Sequence, residues 1–392
     1  MKFTKARLID FTFVVFLITT IFLVAHYTLI DQLGFFRKIY GVQAQIVKLT
    51  IRCSDNAPSW MKDNISYMIS KNKILSNQLA YISPEGRRFT CFSGWSGHFL
   101  FSKLNNENTQ YRYASLSKII THDAILRMVA SESLFLDQKI IDVFPELKQS
   151  VFKDERVKDI TIANLLQHRS GFDRLKSEDV MFSTNKEPWC PYEIMQLENI
   201  TLDFKPDEYY AYDNRNTCLL SAILERKSGE DYRGHIDSKY TLSKYGIGFI
   251  DGPYKINEVK YDFRNGELWT ENYYKSFDFN ALSSSAGLVG GAMSLADLVN
   301  NKILINSDIF EISNNALKTC ILNEVNSCNG YVFQVFQERL DDPYFYYRSG
   351  ALPGVNSFLV VSEHNDVVVW VGNANNTLSQ KEIAGLFINN LF

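Results

Sequence analysis

Two valine-rich runs near the C-terminus, residues 357–361 and 367–371, flank the turn His364-Asn365-Asp366, and this hairpin constrains the fold more than any other stretch of the chain. β-branched residues packed into short runs favour pleated, buried backbone. Two further short strands are expected far upstream, at 87–92 and 98–101, around the turn-rich Ser93-Gly94-Trp95-Ser96-Gly97. Helical segments are expected between these ends. One runs from Ser115 to about Ser133, with Ile119, Ile120, Ala124, Leu126 and Met128 giving a broad apolar face. A second covers 159–168 and ends at the turn Arg169-Ser170-Gly171, and a third covers 216–227 and stops at Gly229. A fourth opens at Ser294 with Asp297 in the acidic position of a capping box, and a last one, 380–391, is capped by Ser379. Strands at both ends with helices between them require a sheet assembled from distant segments, with a helical insertion. The expected class is therefore α+β, an antiparallel sheet flanked by helices with an all-helical region.

The N-terminus carries a different signal. Lys2, Lys5 and Arg7 precede a stretch, 8–30, that is apolar apart from Asp10 and His26 near its ends. Such a length can span a bilayer as one helix, and the basic residues ahead of it keep Met1 on the cytoplasmic side. A cleaved signal peptide is the competing reading, although no small-x-small site closes the segment. The expected organisation is a cytoplasmic tail, 1–7; an anchor, 8–30; a juxtamembrane connector, 31–75, with an amphipathic stretch at 60–74; and a folded domain, 76–392, exported across the membrane. Six cysteines, all beyond the anchor, suit an oxidising compartment. Proximity favours Cys53 with Cys91, Cys190 with Cys218, and Cys320 with Cys328, against the alternative of free buried thiols. None lies in a Cys-x-x-Cys or beside histidines at zinc-ligand spacing, so no metal site is expected. A net charge of -3 gives no electrostatic case for nucleic acid.

Three short motifs carry chemistry. Ser115-Leu116-Ser117-Lys118 places a hydroxyl and an amine three residues apart at a helix start, on one face, so the amine can reach the hydroxyl. Tyr212-Asp213-Asn214 offers a phenol that takes a proton at neutral pH if a lysine ammonium lies beside it, and an amide two residues on. Arg348-Ser349-Gly350-Ala351 sets a cation, a hydroxyl and a glycine on a strand edge, where a substrate carboxylate can be gripped while its backbone comes close. Alone, each of these is more simply a capped helix, an aromatic loop or a strand start.

Together, in this order, the three resemble the active-site boxes of the serine β-lactamase and penicillin-binding-protein superfamily, and the Tyr-x-Asn form resembles the class C β-lactamase branch with its D-amino-acid peptidases and esterases. Residues 160–171, ending His168-Arg169-Ser170-Gly171, are similar to that family's helix ending in His-Thr-Ser-Gly. Residues 285–298 are similar to its glycine-rich turn before a Ser-x-x-Asp-Leu helix. The resemblance covers roughly residues 75–390. It implies a serine hydrolase that forms an acyl-enzyme on Ser115, with Lys118 and Tyr212 moving protons and Asn214 orienting an amide or ester substrate. The N–H groups of Ser115 and Ala351 would bind the oxyanion, and Arg348, Ser349 and Gly350 would line the substrate strand. It implies no cofactor; the substrate would be a small molecule or a peptidoglycan-type peptide. A non-catalytic acylation sensor is the alternative. Two departures stand out: Arg348 replaces the usual lysine or histidine, and Asp207 replaces the glycine that usually follows the proline ahead of the tyrosine box. By the same resemblance His168 is a capping or packing residue.

Overall fold

The computed structural model describes residues 5–183, 187–266, 270–310, 327–337 and 343–391. The hairpin that opened the sequence reading forms the middle of an eight-stranded sheet in the order β1-β3-β2-β11-β10-β9-β8-β7. Its strands are β1 (Arg52–Cys53), β2 (Asn77–Ile82), β3 (Arg88–Ser93), β7 (Ser327–Asn329), β8 (Gln334–Phe336), β9 (Phe345–Leu352), β10 (Val355–Ser362) and β11 (Val367–Gly372). Every neighbouring pair is antiparallel. A small second sheet joins β4 (Tyr111–Arg112), β6 (Leu288–Gly290) and β5 (Gly248–Phe249).

The valine runs are continuous because both faces of β10 and β11 are covered. Leu359, Val361, Val367 and Val369 enter one core, with the helices that carry the serine motif, while Phe358, Val360, Val368 and Trp370 enter the other. The period of two thus sorts one unbroken apolar run between two cores. At the turn, Asn365 takes a positive φ of 67°, Ser362 Oγ donates to Asp366 Oδ2 (2.6 Å), and Tyr81 OH donates to Asp366 Oδ1 (2.7 Å).

Residues 31–75 carry α2 (Gln32–Lys48), β1 and α3 (Ser59–Ser70). Tyr40, Val47, Met61, Ile65 and Met68 bury against the sheet in the same core as Trp370 and the C-terminal helix Gln380–Ile388. That last helix has the expected cap: Ser379 and Glu382 form a capping box. Cys53 pairs with Cys91, register partners on β1 and β3, and Cys190 pairs with Cys218. The third expected pairing cannot be traced, because Cys320 lies outside the described residues.

Several expectations shift. The helix α1 (Lys5–Ala25) has side chains described from Thr12 onward, and Phe13, Phe16, Ile21 and Phe22 are exposed on it. Among the described residues no helix is long and apolar enough to cross a membrane. The expected uniform span 8–30 is interrupted: the α-helix stops at Ala25, a π-helical turn covers His26–Ile30, and Asp31 caps α2 through the Gly34 N–H. Residues 98–101 form a bend and turn, not a strand: Leu100 adopts a φ of 65° and Phe101 is 91% exposed, while Phe99 alone packs inward against Trp95. The helix expected over 159–168 contracts to Ile162–Leu166 because Thr161 and Asn164 make the capping box there. Ser294 lies inside a helix, Ala292–Leu298, whose extended N-cap is Gly291.

Candidate active site

Ser115 lies in a short 3-10 turn, Ala114–Ser117, that feeds directly into α4 (Lys118–Ala130). Ala114 just ahead of it holds a φ of 50°, the left-handed region that costs a residue with a Cβ about 1 kcal/mol or more. The turn is braced by the central sheet. Ser357 Oγ on β10 donates to the Tyr113 carbonyl (2.7 Å), and a Cβ on Gly350 of β9 would lie 2.6 Å from that carbonyl and 2.9 Å from the Ser115 nitrogen. Only glycine lets β9 approach the serine this closely.

Ser115 Oγ and the Tyr212 hydroxyl are 2.7 Å apart, and Lys118 Nζ donates to Ser115 Oγ at 3.2 Å. Lys118 is fully buried and also donates to Asn214 Oδ1 (2.7 Å) and to the Ser285 carbonyl (2.8 Å). Tyr212 precedes the helix Asn214–Ser228, whose N-cap Asp213 accepts from the Arg215 N–H, so the cap fixes both ends of the Tyr-Asp-Asn motif. Burial alone would raise the Tyr212 pKa, but the Lys118 and Arg348 cations outweigh it and hold the phenol below its ordinary value. Burial lowers the Lys118 pKa; the Tyr212 oxygen opposes that shift and Arg348 adds to it.

A cavity of about 540 Å³ opens on this cluster, lined by Ser115, Tyr212, Arg348, Ser349, Gly350 and Ala351 among others. Four of the predicted residues, Ser115, Lys118, Tyr212 and Asn214, therefore meet in one hydrogen-bond network, and the third motif forms a wall of the same cavity. Arg348 is not turned outward: it is half-buried and donates through Nη1 to the Val332 carbonyl (2.5 Å). Asp207, the other departure, is tied to Arg169 Nε (2.7 Å) and sits at a φ of 66°, so the aspartate holds the glycine-like turn with an ion pair. His168 stacks 4.6 Å from the Tyr212 ring, and burial keeps it neutral, its pKa well below the ordinary value. Asp213 pairs with Arg215 and does not reach the serine.

Three contributors escaped the sequence reading. Asp179 accepts from the Asn214 amide, Arg174 lies over the Tyr212 ring at 4.7 Å, and Ser357 braces the serine turn. Asp179 and Arg174 lie on a loop with no motif, tens of residues from the groups they touch. Ser357 was visible only as the start of a strand. Among the described residues no group of histidine, cysteine or carboxylate side chains could hold a metal.

A buried lysine and a tyrosine thus converge on a serine at a helix start, on an antiparallel sheet with helices on both faces. Residues 99–242 match the β-lactamase family model. The chain belongs to the β-lactamase family of serine hydrolases. It is 34% identical over 360 residues to a probable fimbrial assembly protein, FimD serogroup H1, of Dichelobacter nodosus, covering 92% of this chain and 90% of that one. Among solved structures it resembles a β-lactamase/D-alanine carboxypeptidase from Pseudomonas syringae, with a TM-score of 0.64 at 13% identity over 84% of this chain and 96% of the other. It also resembles the D-amino acid amidase of Ochrobactrum anthropi SV3, with a TM-score of 0.60 at 18% identity over 81% and 91%. At those identities the structural likenesses carry the fold alone.

Proposed function

We propose that the chain hydrolyses or transfers an acyl group from an amide or ester through a covalent intermediate on Ser115. The observation that carries this reading is the pair of contacts on one oxygen: Ser115 Oγ lies 2.7 Å from the Tyr212 hydroxyl and 3.2 Å from Lys118 Nζ. In the first step the Ser115 proton passes into the Tyr212–Lys118 pair as Oγ bonds to the substrate carbonyl carbon. The oxyanion is received by the N–H groups of Ser115 and Ala351, each worth about 3 kcal/mol. The proton then passes to the departing nitrogen or oxygen as its bond to carbon breaks. Water repeats the sequence to release the acid. Asn214 and the Arg348-Ser349-Gly350 edge position the substrate, and Arg348 favours one that carries a carboxylate.

The substrate class we propose is a cell-wall peptide or a D-amino-acid amide or ester, in keeping with the fold neighbours. We further propose that the chain is exported and held at a bacterial inner membrane by α1, whose exposed phenylalanines and aliphatic residues suit lipid, with its disulfide-bonded body outside the cytoplasm. The similarity to FimD over nearly the whole chain favours a place in fimbrial assembly for this activity. As to organisation, we propose that residues 1–7 form a tail and 8–30 the anchor. The connector of 31–75 folds as part of the hydrolase body, because α2 and α3 bury with Trp370.

Incubating the full chain and its Ser115→Ala variant with a fluorescent penicillin and a fluorophosphonate probe tests the reading. Ser115-dependent labelling followed by release of the acyl label is expected. Labelling without release makes the chain an acylation sensor, and no labelling by either probe refutes the nucleophile.

A further inference from the structure

Asp179 stands just ahead of a short 3-10 turn, Val180–Phe182, where its Oδ1 accepts from the Met181 N–H (3.1 Å). Its other oxygen, Oδ2, accepts from the Asn214 side-chain amide (2.7 Å) and, at 3.3 Å, from the Asn214 backbone N–H. At the far end of that amide, Oδ1 accepts from Lys118 Nζ at 2.7 Å. A carboxylate only accepts and an ammonium only donates, so both partners demand the same orientation of the Asn214 amide. Lys118 in turn has three acceptors, Ser115 Oγ, Asn214 Oδ1 and the Ser285 carbonyl, which match the three protons of a charged lysine. No carboxylate among the described residues touches Lys118. Asp179 is the anion it reaches, through one intervening amide.

We propose that Asp179 is a positioning residue for acylation: acting through Asn214, it keeps Lys118 charged and aimed at Ser115, so that Tyr212 and not Lys118 takes the serine proton. The proposal rests on the reading of Ser115 as nucleophile. Lys118 keeps all three protons throughout. With Tyr212 starting as the phenolate, the Ser115 proton moves to its oxygen as Oγ bonds to the carbonyl carbon, and the carbonyl π electrons move to the carbonyl oxygen. The same proton leaves Tyr212 for the departing atom when the carbon–leaving-group bond breaks.

The surrounding charges fit this division. Burial lowers the Lys118 pKa and Arg348 adds to the lowering, while the Tyr212 oxygen and Asp179 pull it back up. Around Tyr212 stand Lys118, Arg348, Arg174 over its ring, and the His168 and Tyr210 side chains; the Asp213–Arg215 pair lies on the Asp179 side. Among the described residues that shift Lys118, Asp179 is the carboxylate that favours its charge. Its orientation of Asn214 also redefines that residue: with Oδ1 on Lys118 and one amide proton on Asp179, a single amide proton is left for a substrate.

The test is the rate of Ser115 phosphonylation by a fluorophosphonate, which reads the same Oγ attack as acylation, followed on the full chain from about pH 5 to about pH 10, with thermal melts in parallel. Asp179→Asn preserves an acceptor for the Asn214 amide and removes the charge. Without it the Lys118 ammonium and the Tyr212 phenol both lose their proton more readily, so both limbs of the profile should move to lower pH at an unchanged melting temperature. Asp179→Ala, which removes the acceptor as well, should slow acylation at the optimum by about tenfold or more, the loss of one charge-assisted hydrogen bond. An Asp179→Asn profile that overlays the wild type overturns the proposal, as does a loss in either variant that only tracks the unfolded fraction. Absence of Ser115-dependent labelling in the wild type overturns the nucleophile reading itself, a distinct result.

Discussion

Two cations are equally buried in this molecule and are treated in opposite ways. Arg112 and Lys118 are both 0% exposed. Arg112 on β4 forms an ion pair with the buried Glu258 (2.6 Å), donates to the Tyr273 hydroxyl (3.1 Å) and the Gly252 carbonyl (2.8 Å), and lies over the rings of Tyr254, Tyr273 and Phe279. Burial disfavours its charge, but Tyr273 and Glu258 outweigh that, and the net shift is upward. Lys118 has neutral oxygens as its three direct partners, and its net shift is downward. A buried cation with a direct counter-ion is locked for structure. One whose nearest carboxylate stands an amide away has a lowered pKa and turns its charge toward the reacting groups beside it, which is what a catalytic site needs.

The sharpest way to break the contrast is to remove each charge. Arg112→Met strands Glu258 in the interior and should cost about 3–5 kcal/mol, read as a collapse of the melting temperature, with any residual activity proportional to folded protein. Lys118→Met replaces a buried charge that has no direct carboxylate by an apolar chain of similar length. It should leave the melt close to wild type while slowing fluorophosphonate labelling roughly a thousandfold. If Lys118→Met unfolds the protein as Arg112→Met does, the contrast fails. Tyr212→Phe comes next: the fold should persist, and acylation should fall by about a hundredfold or more as the phenol oxygen is lost.

Truncation probes the same question of what is structural. A chain begun at residue 76 lacks α2, β1 and α3, and so exposes Trp370, Phe358 and their neighbours. It should express poorly and bind a hydrophobic dye, whereas removal of 1–30 should leave a folded, disulfide-bonded body with wild-type labelling of Ser115.

The sequence was most readable where the physics is local. The terminal hairpin and the Ser379 cap depend on neighbours in the chain, and both stand as expected. The Ser115, Lys118, Tyr212 and Asn214 set was legible because each spacing is short and the motifs are ordered. Asp179 was invisible, since its bond to Asn214 joins a motif-free loop to a helix start and leaves no periodic trace. The place of 31–75 is a subtler case. The expected Cys53–Cys91 pairing already implied it, because a disulfide holds two Cα atoms within about 7 Å and so sets residue 53 beside β3. The short apolar run at 98–101 misled for the opposite reason, as nothing in its own residues reveals that no partner strand lies alongside.

The pH dependence of stability should separate the two cations more finely. A lysine whose folded pKa is below its unfolded value weakens folding at low pH, where the native state must hold a disfavoured charge. That penalty fades as pH rises from the folded pKa toward 10.5, the ordinary lysine value. The difference in unfolding free energy between wild type and Lys118→Met, measured by urea titration, should therefore shift in favour of wild type across that alkaline window. Tyr212 responds in the same window with the same sign. Its folded pKa is also lowered, so its contribution is present above the unfolded value of 10.0 and is lost as pH falls through the folded one. Repeating the titration in Tyr212→Phe and its double variant with Lys118→Met divides the slope between them. Arg112, with its pKa raised out of reach, should contribute no slope there.

The smallest effect concerns the strain stored beside the serine. Ala114 is held at a φ of 50° by the turn that joins β4 to α4, with Tyr113 and Ala114 both fully buried. Glycine occupies that region without a Cβ penalty, so Ala114→Gly should relieve about 1 kcal/mol of strain, less the extra freedom it gives the unfolded chain. The net change in the melt should be near zero or slightly upward, where an ordinary buried alanine-to-glycine change lowers it. Acylation should nevertheless slow, by about a few-fold, because a looser residue 114 lets the Ser115 hydroxyl leave the 2.7 Å contact with Tyr212. A clear drop in stability with unchanged acylation would mean that the left-handed residue serves packing and not the placement of the nucleophile.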